Sequence, residues 1–150
     1  MQVDEEAMRQ AFEEAKKAYA MGEVPVGAVI VDSNQKIIAK AHNETESAAC
    51  ISAHAEMLAI ERASQSLNAW RLSGCTLYCT LEPCPMCMGA IQLARIERLV
   101  YAASDLRLGA LGSFIDLTEK KHPFHTVICE RGILNDASAA LMRDFFQKRR

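Results

Sequence analysis

The chain has 150 residues, 50% of them hydrophobic and 24% charged, which fits a single soluble globular domain spanning 1–150 with room for a real core. A net charge of −2 gives no general attraction to polyanions, so a nucleic-acid partner requires a local basic patch, for which Arg95, Arg98, Arg107 and Lys148-Arg149-Arg150 are the candidates. No apolar run approaches membrane-spanning length and the first residues are acidic, so no membrane segment is expected, and the six cysteines suit metal and buried thiols in a reducing cytoplasm better than a disulfide scaffold.

From Asp4 to about Met21, Ala7, Met8, Ala11, Phe12, Ala15, Ala18 and Tyr19 recur at helical spacing, which predicts an amphipathic helix ended by Gly22. Val24 to Val31 is a β-branched run suited to a buried central strand, with Gly27 allowing close backbone approach. A turn at 32–35 returns the chain as a second strand from Lys36 to Ala41, and a polar loop with Asn43 near its start leads to Ser52, a plausible helix cap. The chain then reads as a helix from His54 to about Leu67, a strand from Cys75 to Thr80, a helix from Pro85 to Arg95 and a strand from Arg98 to Ala102. That alternation predicts a βαβ unit with parallel strands and a binding crevice at their carboxyl ends, where the loop from Ala103 to Ser113 also falls. A strand from His125 to Cys129 and a last helix, capped by Asn135 and running to about Lys148, complete the chain.

Two short clusters carry the chemistry: His54-Ala55-Glu56, and Pro83-Cys84-Pro85-Met86-Cys87 thirty residues further on. Cys84 stands at a helix N-cap position with Pro85 at the first helical one, so both thiols can gather where free amides and the helix dipole favour thiolates. Three nitrogen and sulfur ligands, His54, Cys84 and Cys87, with one position left open describe a catalytic zinc site, with Glu56 free to move protons. A catalytic zinc brings bound water to a pKa of about 7. The alternatives are a closed structural site completed by Cys50, Cys75 or Cys79 and a merely solvated Glu56; the ordered HxE…PCxxC pattern favours the open site, and Cys50, Cys75, Cys79 and Cys129 then read as small hydrophobes.

On these motifs the chain resembles the bacterial-type tRNA-specific adenosine deaminases of the cytidine deaminase-like superfamily. The likeness runs through Glu23-Val24-Pro25-Val26-Gly27-Ala28, Asn43, His54-Ala55-Glu56, Thr80 to Cys87, Gly89-Ala90, Asp105 to Ser113, and Gly132-Ile133-Leu134 to Phe145-Phe146, and departs from the pattern at Arg107-Leu108 and His122-Pro123-Phe124-His125. It implies a three-layer α/β/α fold with a five-stranded mixed sheet, one Zn²⁺ per subunit, a homodimer, and a tRNA anticodon stem-loop as partner, with no DNA expected. It further implies hydrolytic deamination of the wobble adenosine to inosine by zinc-activated water, with Glu56 protonating N1 and then the leaving ammonia. Asn43 and the Ala55 amide would hold the purine, and Asp105 and Arg107 the flanking nucleotides. The zinc motif is shared with enzymes acting on other bases, so a free-base or nucleoside deaminase is the alternative, followed by a noncatalytic zinc-binding protein.

Overall fold

The computed structural model describes residues 2–149. Nine elements follow in order: α1 (Gln2–Ala20), β1 (Gly27–Val31), β2 (Ile37–His42), α2 (Ala55–Leu67), β3 (Thr76–Leu81), α3 (Pro85–Leu93), β4 (Arg98–Ala103), β5 (Ile128–Arg131) and α4 (Asn135–Gln147). The sheet has the order β2-β1-β3-β4-β5, with β1 antiparallel to both neighbours and β3, β4 and β5 mutually parallel. This is the expected three-layer α/β/α architecture around a five-stranded mixed sheet. Among the described residues, no helix is long and apolar enough to cross a membrane.

Strand alternation sorts the core into two layers. Ala28, Ile30, Leu77, Cys79, Leu99 and Tyr101 face α2 and α3, where Ala55, Ala59, Ala63, Met88 and Ile91 complete the larger cluster. Val29, Val31, Tyr78, Val100 and Ala102 face the other way and pack against Ala7, Met8 and Ala11 of α1. All five residues of β1 are buried, as its unbroken apolar run requires.

Helix α1 lies so close to β1 that a side chain at Gly27 has no space. A Cβ there would overlap the carbonyl oxygen of Ala11 and sit 2.6 Å from the Ala15 nitrogen. Backbone rather than a flexible side chain blocks it, so α1 itself must move. Gly27→Ala is therefore expected to cost about 3 kcal/mol or more, at the upper end of overpacking penalties. Urea denaturation checks this, and a midpoint equal to that of the parent would show that α1 rides freely on the sheet.

Several boundaries differ from the sequence reading, each for a local reason. Pro25 has no amide to give a ladder and Val26 donates back to Val24, so β1 begins at Gly27 and not at Val24. Strand β5 runs from Ile128 to Arg131, not from His125 to Cys129, because its parallel register starts with Ile128 opposite Arg98. The cap of α2 is His54 and not Ser52, while Asn135 is the first residue of α4, preceded by Leu134 in the left-handed region. Helix α3 ends at Leu93, leaving Arg95 at a φ of 65°. Gly22, at a φ of 78°, does end α1, with the Glu23 amide donating back to the Ala18 carbonyl.

Candidate active site

Two helix N-termini meet at the carboxyl end of β3. Cys84 holds the N-cap of α3 in an extended conformation (φ −75°, ψ 172°), with Pro85 next, and Cys87 is buried in the first turn. His54 holds the equivalent position on α2 (φ −73°, ψ 151°), which turns its ring away from the helix axis and toward the thiols. Its Nδ1 lies 3.6 Å from the Cys84 sulfur and 3.4 Å from the Cys87 sulfur. Neither cap residue bonds its own helix through its side chain, so the first-turn amides of both helices remain without intrahelical acceptors.

The donor atoms of His54, Cys84 and Cys87 all lie within 4.8 Å of one another. Ligand bonds of about 2.0–2.3 Å at tetrahedral angles imply edges of about 3.5–3.8 Å, so the observed nitrogen–sulfur separations suit a bound cation. The charges agree. The hydrogen bond from Cys87, burial notwithstanding and with help from His54, holds the Cys84 thiol far below its usual range, whereas that same bond and burial push Cys87 up. A divalent ion between the two sulfurs would favour ionisation of both. The bond to Cys84 raises His54 against the opposing effect of burial.

Glu56, in the first turn of α2, is 4% exposed, and burial pushes its carboxyl up to about 7 against the opposing pull of its own amide and of His54. A carboxyl poised near neutrality in a cavity, beside a metal-capable cluster, is suited to taking and returning a proton. The cavity holds about 290 Å³, the small end of ligand sites, and is lined by His54, Ala55, Glu56, Cys84, Asn43, Asp105 and Arg107, among others. All the site residues expected from the sequence thus fall at this one place; all but Cys87 line the cavity, and Cys87 is buried against His54 in the same cluster.

The wall residues are held in different ways. Asn43 Oδ1 accepts from the Thr45 amide (3.2 Å) and hydroxyl (2.5 Å), and Nδ2 donates to the Val24 carbonyl (3.3 Å). That leaves one amide hydrogen for a ligand. Asp105 spends one carboxylate oxygen on the amides of Arg107 and Leu108, and the Arg107 guanidinium lies 4.8 Å from the Phe146 ring on α4.

Two buried carboxylates shape the walls and had no role in the sequence reading. Glu82, 2% exposed, accepts from the amides of Asp105 (3.1 Å), Leu111 (2.8 Å) and Ser113 (3.3 Å) and from the Ser113 hydroxyl (2.5 Å). Gly109 is obligatory beneath it, because a Cβ there would overlap that carboxylate. Glu23, 1% exposed, accepts from the Glu46 and Ser47 amides; burial alone would push its carboxyl up, but these bonds win and hold it low. The signal was an acid in apolar company just before a proline, as in Glu23-Val24-Pro25 and Glu82-Pro83. Glu82→Gln sets an amide nitrogen against hydrogen-bond donors, so hydrogen exchange at Leu111 and Ser113 should rise about tenfold or more. Unchanged exchange there would mean that the loop is held by something other than this carboxylate.

Several of the basic candidates are engaged by partners within the protein. Arg98 makes a two-pronged pair with Asp4 (2.6 and 2.7 Å), holding that carboxyl down to about 2, and also bonds Glu130 at 2.8 Å. Lys148 pairs with Asp144 at 3.3 Å, and Arg149 donates to the Gly22 carbonyl while stacking on Phe145. Arg150 lies outside the described residues. Cys75 and Cys79 are core residues and Cys129 is half-buried, but Cys50 is exposed, so its reading as a buried small hydrophobe is corrected: its loop lies outside the core.

Comparison with known proteins gives concordant results. The description of the MafB19-like deaminases matches residues 2–150. The chain is 45% identical over 150 residues to a tRNA-specific adenosine deaminase of Bacillus subtilis (strain 168), covering 100% of this chain and 92% of the relative. It is 44% identical over 147 residues to that of Haemophilus influenzae, covering 98% and 85%. A solved structure from work on A-to-I editing by tRNA:A34 deaminases at the wobble position superposes with a TM-score of 0.87 at 38% identity, over 91% of this chain and 98% of the other. A guanine deaminase from Nitrosomonas europaea reaches 0.77 at 28% identity, over 94% and 83%.

Proposed function

We propose, because the chain belongs to the MafB19-like deaminase family and to the tRNA-specific adenosine deaminases, that it converts the wobble adenosine of a tRNA anticodon to inosine, consuming water and releasing ammonia. The observation that carries the chemistry is Glu56, buried beside the His54–Cys84–Cys87 cluster at the floor of a cavity of about 290 Å³. His54, Cys84 and Cys87 would hold one zinc ion per subunit, which would supply Lewis-acid activation of water. Glu56 takes a proton from the attacking water and gives it to N1 of the adenine, then takes the hydroxyl proton of the C6 adduct and gives it to the amine, which departs as ammonia and leaves the C6 carbonyl of inosine. The remaining Nδ2 hydrogen of Asn43 and the first-turn amide of Ala55 hold the purine. Asp105 and Arg107 meet the flanking nucleotides.

The cavity accommodates a base and leaves the rest of a polymer outside. An anticodon loop suits this, because its bases are already unpaired and can be splayed into a pocket. On the segment beside the cavity Leu106 is 83% and Phe114 57% exposed, apolar surface of the kind that a macromolecular partner covers. Helix α3 likewise presents Met86 and Leu93 to solvent, with open space over Gly89, and this apolar stripe supports a homodimer. Six free thiols support action in the reducing cytoplasm.

The test is a comparison of substrates. Purified protein assayed for ammonia release should favour an anticodon stem-loop carrying wobble adenosine over free adenosine, guanine and cytosine, because remote contacts supply the energy that positions the reacting base. Equal efficiency on a free nucleoside or base would transfer the reading to a small-molecule deaminase.

A further inference from the structure

Far from the cavity, three segments form a surface of cations and exposed rings. Trp70 follows the C-terminus of α2, Arg95 follows that of α3, and Phe124 lies in the loop before β5. The Arg95 guanidinium lies 5.7 Å from the Trp70 ring and 5.4 Å from the Phe124 ring, and that of Arg71 lies 4.9 Å from Trp70. Trp70 is 59% and Phe124 70% exposed. Hydrogen bonds tie the three segments together: the Leu72 amide donates to the Ala94 carbonyl at 2.8 Å, and the His125 ring nitrogen bonds the Ile96 carbonyl at 2.7 Å. No ion pair engages Arg71 or Arg95 among the described residues.

We infer that this Trp70–Arg95–Phe124 surface is a second RNA-binding site, which takes the part of the tRNA outside the reacting nucleotide. This rests on the tRNA reading above. Arg71 and Arg95 share the groove beside these rings with a single acid, Glu97, so the surface is locally positive on a chain whose net charge is −2. Flat rings accept stacked bases whatever their identity, and guanidiniums laid beside them reach phosphates. Helices α2 and α3, of 13 and 9 residues, separate the patch from the cavity by about 14–20 Å, so an RNA arm spans both and a nucleoside does not. Arg95 keeps its large side chain at a φ of 65°, where glycine is the usual residue, so the backbone gains nothing from an arginine there.

Trp70 is the chain's single tryptophan, so its emission reports on the patch directly. Titrating the zinc-loaded wild-type protein with tRNA should quench that emission in a salt-dependent way. Arg95→Gly, which suits the backbone, and Arg71→Ala should each raise KM for tRNA on the order of tenfold and make its salt dependence shallower by about one phosphate contact, with zinc content and native mass retained. If the wild type deaminates tRNA but the variants keep its KM and salt dependence and emission never responds, the patch does not bind RNA. A fall in native mass in the variants would instead make the surface a self-interface and overturn the inference. Failure of the wild type on any tRNA would remove the tRNA reading itself.

Discussion

Glu56→Gln should leave a folded, zinc-loaded protein with almost no turnover. The side chain is nearly isosteric and 4% exposed, so the fold loses little volume, but the amide can neither accept nor return a proton. General acid–base groups contribute about 10²–10⁴-fold, and one carboxyl serving several transfers in a single cycle belongs at or above the top of that range. Burial holds Glu56 at about 7, so both protonation states are accessible near neutral pH, as a group that alternates between base and acid requires. Glu56→Ala should behave alike in metal content and rate. Metal analysis alongside stem-loop kinetics decides the matter: loss of zinc would make Glu56 a ligand, and near-normal kcat would deny it the proton.

Cys84→Ser and Cys87→Ser should strip the metal and lower the unfolding midpoint. The sulfurs close the space between two helix N-termini whose amides and thiols would otherwise crowd one partial charge. An ion bound at 100 times its dissociation constant contributes about 2.7 kcal/mol, so a loss of about 3 kcal/mol or more is expected for either serine variant. Chelation of the parent should reproduce it. Cys50→Ser and Cys129→Ser should keep their zinc, because one thiol is exposed and the other lies on the edge strand β5. Zinc lost from the Cys50 variant but kept by the Cys84 variant would reject the ligand set.

The clusters at 54–56 and 83–87 were legible because their geometry is local: a proline after Cys84 and a spacing of three place both thiols on one helix turn. The parallel β3–α3–β4 unit was legible for the same reason. What depends on distant partners was not. The limits of β5 follow from its pairing with β4, and the inward turn of Arg98 follows from Asp4, 94 residues away in sequence. Glu82 looked like part of a motif and proved to be the anchor of a loop that begins 23 residues later. Ser52 and Asn135 carry good capping side chains, yet the caps fall on His54 and Leu134, where the loops enter the helices.

The single carboxylate that fastens the 105–113 segment also separates the frame that carries the thiols from the loop that hangs on it. Glu82 stands two positions before Cys84, so the stretch after β3 that delivers a thiol to the cluster also carries the post on which the 105–113 segment hangs. A replacement of that segment leaves the supports of the centre in place, provided that it brings backbone amides to the post and keeps a glycine at 109 to clear it. The loop and the thiols thus share one foundation while the loop's own sequence stays free between its fixed ends.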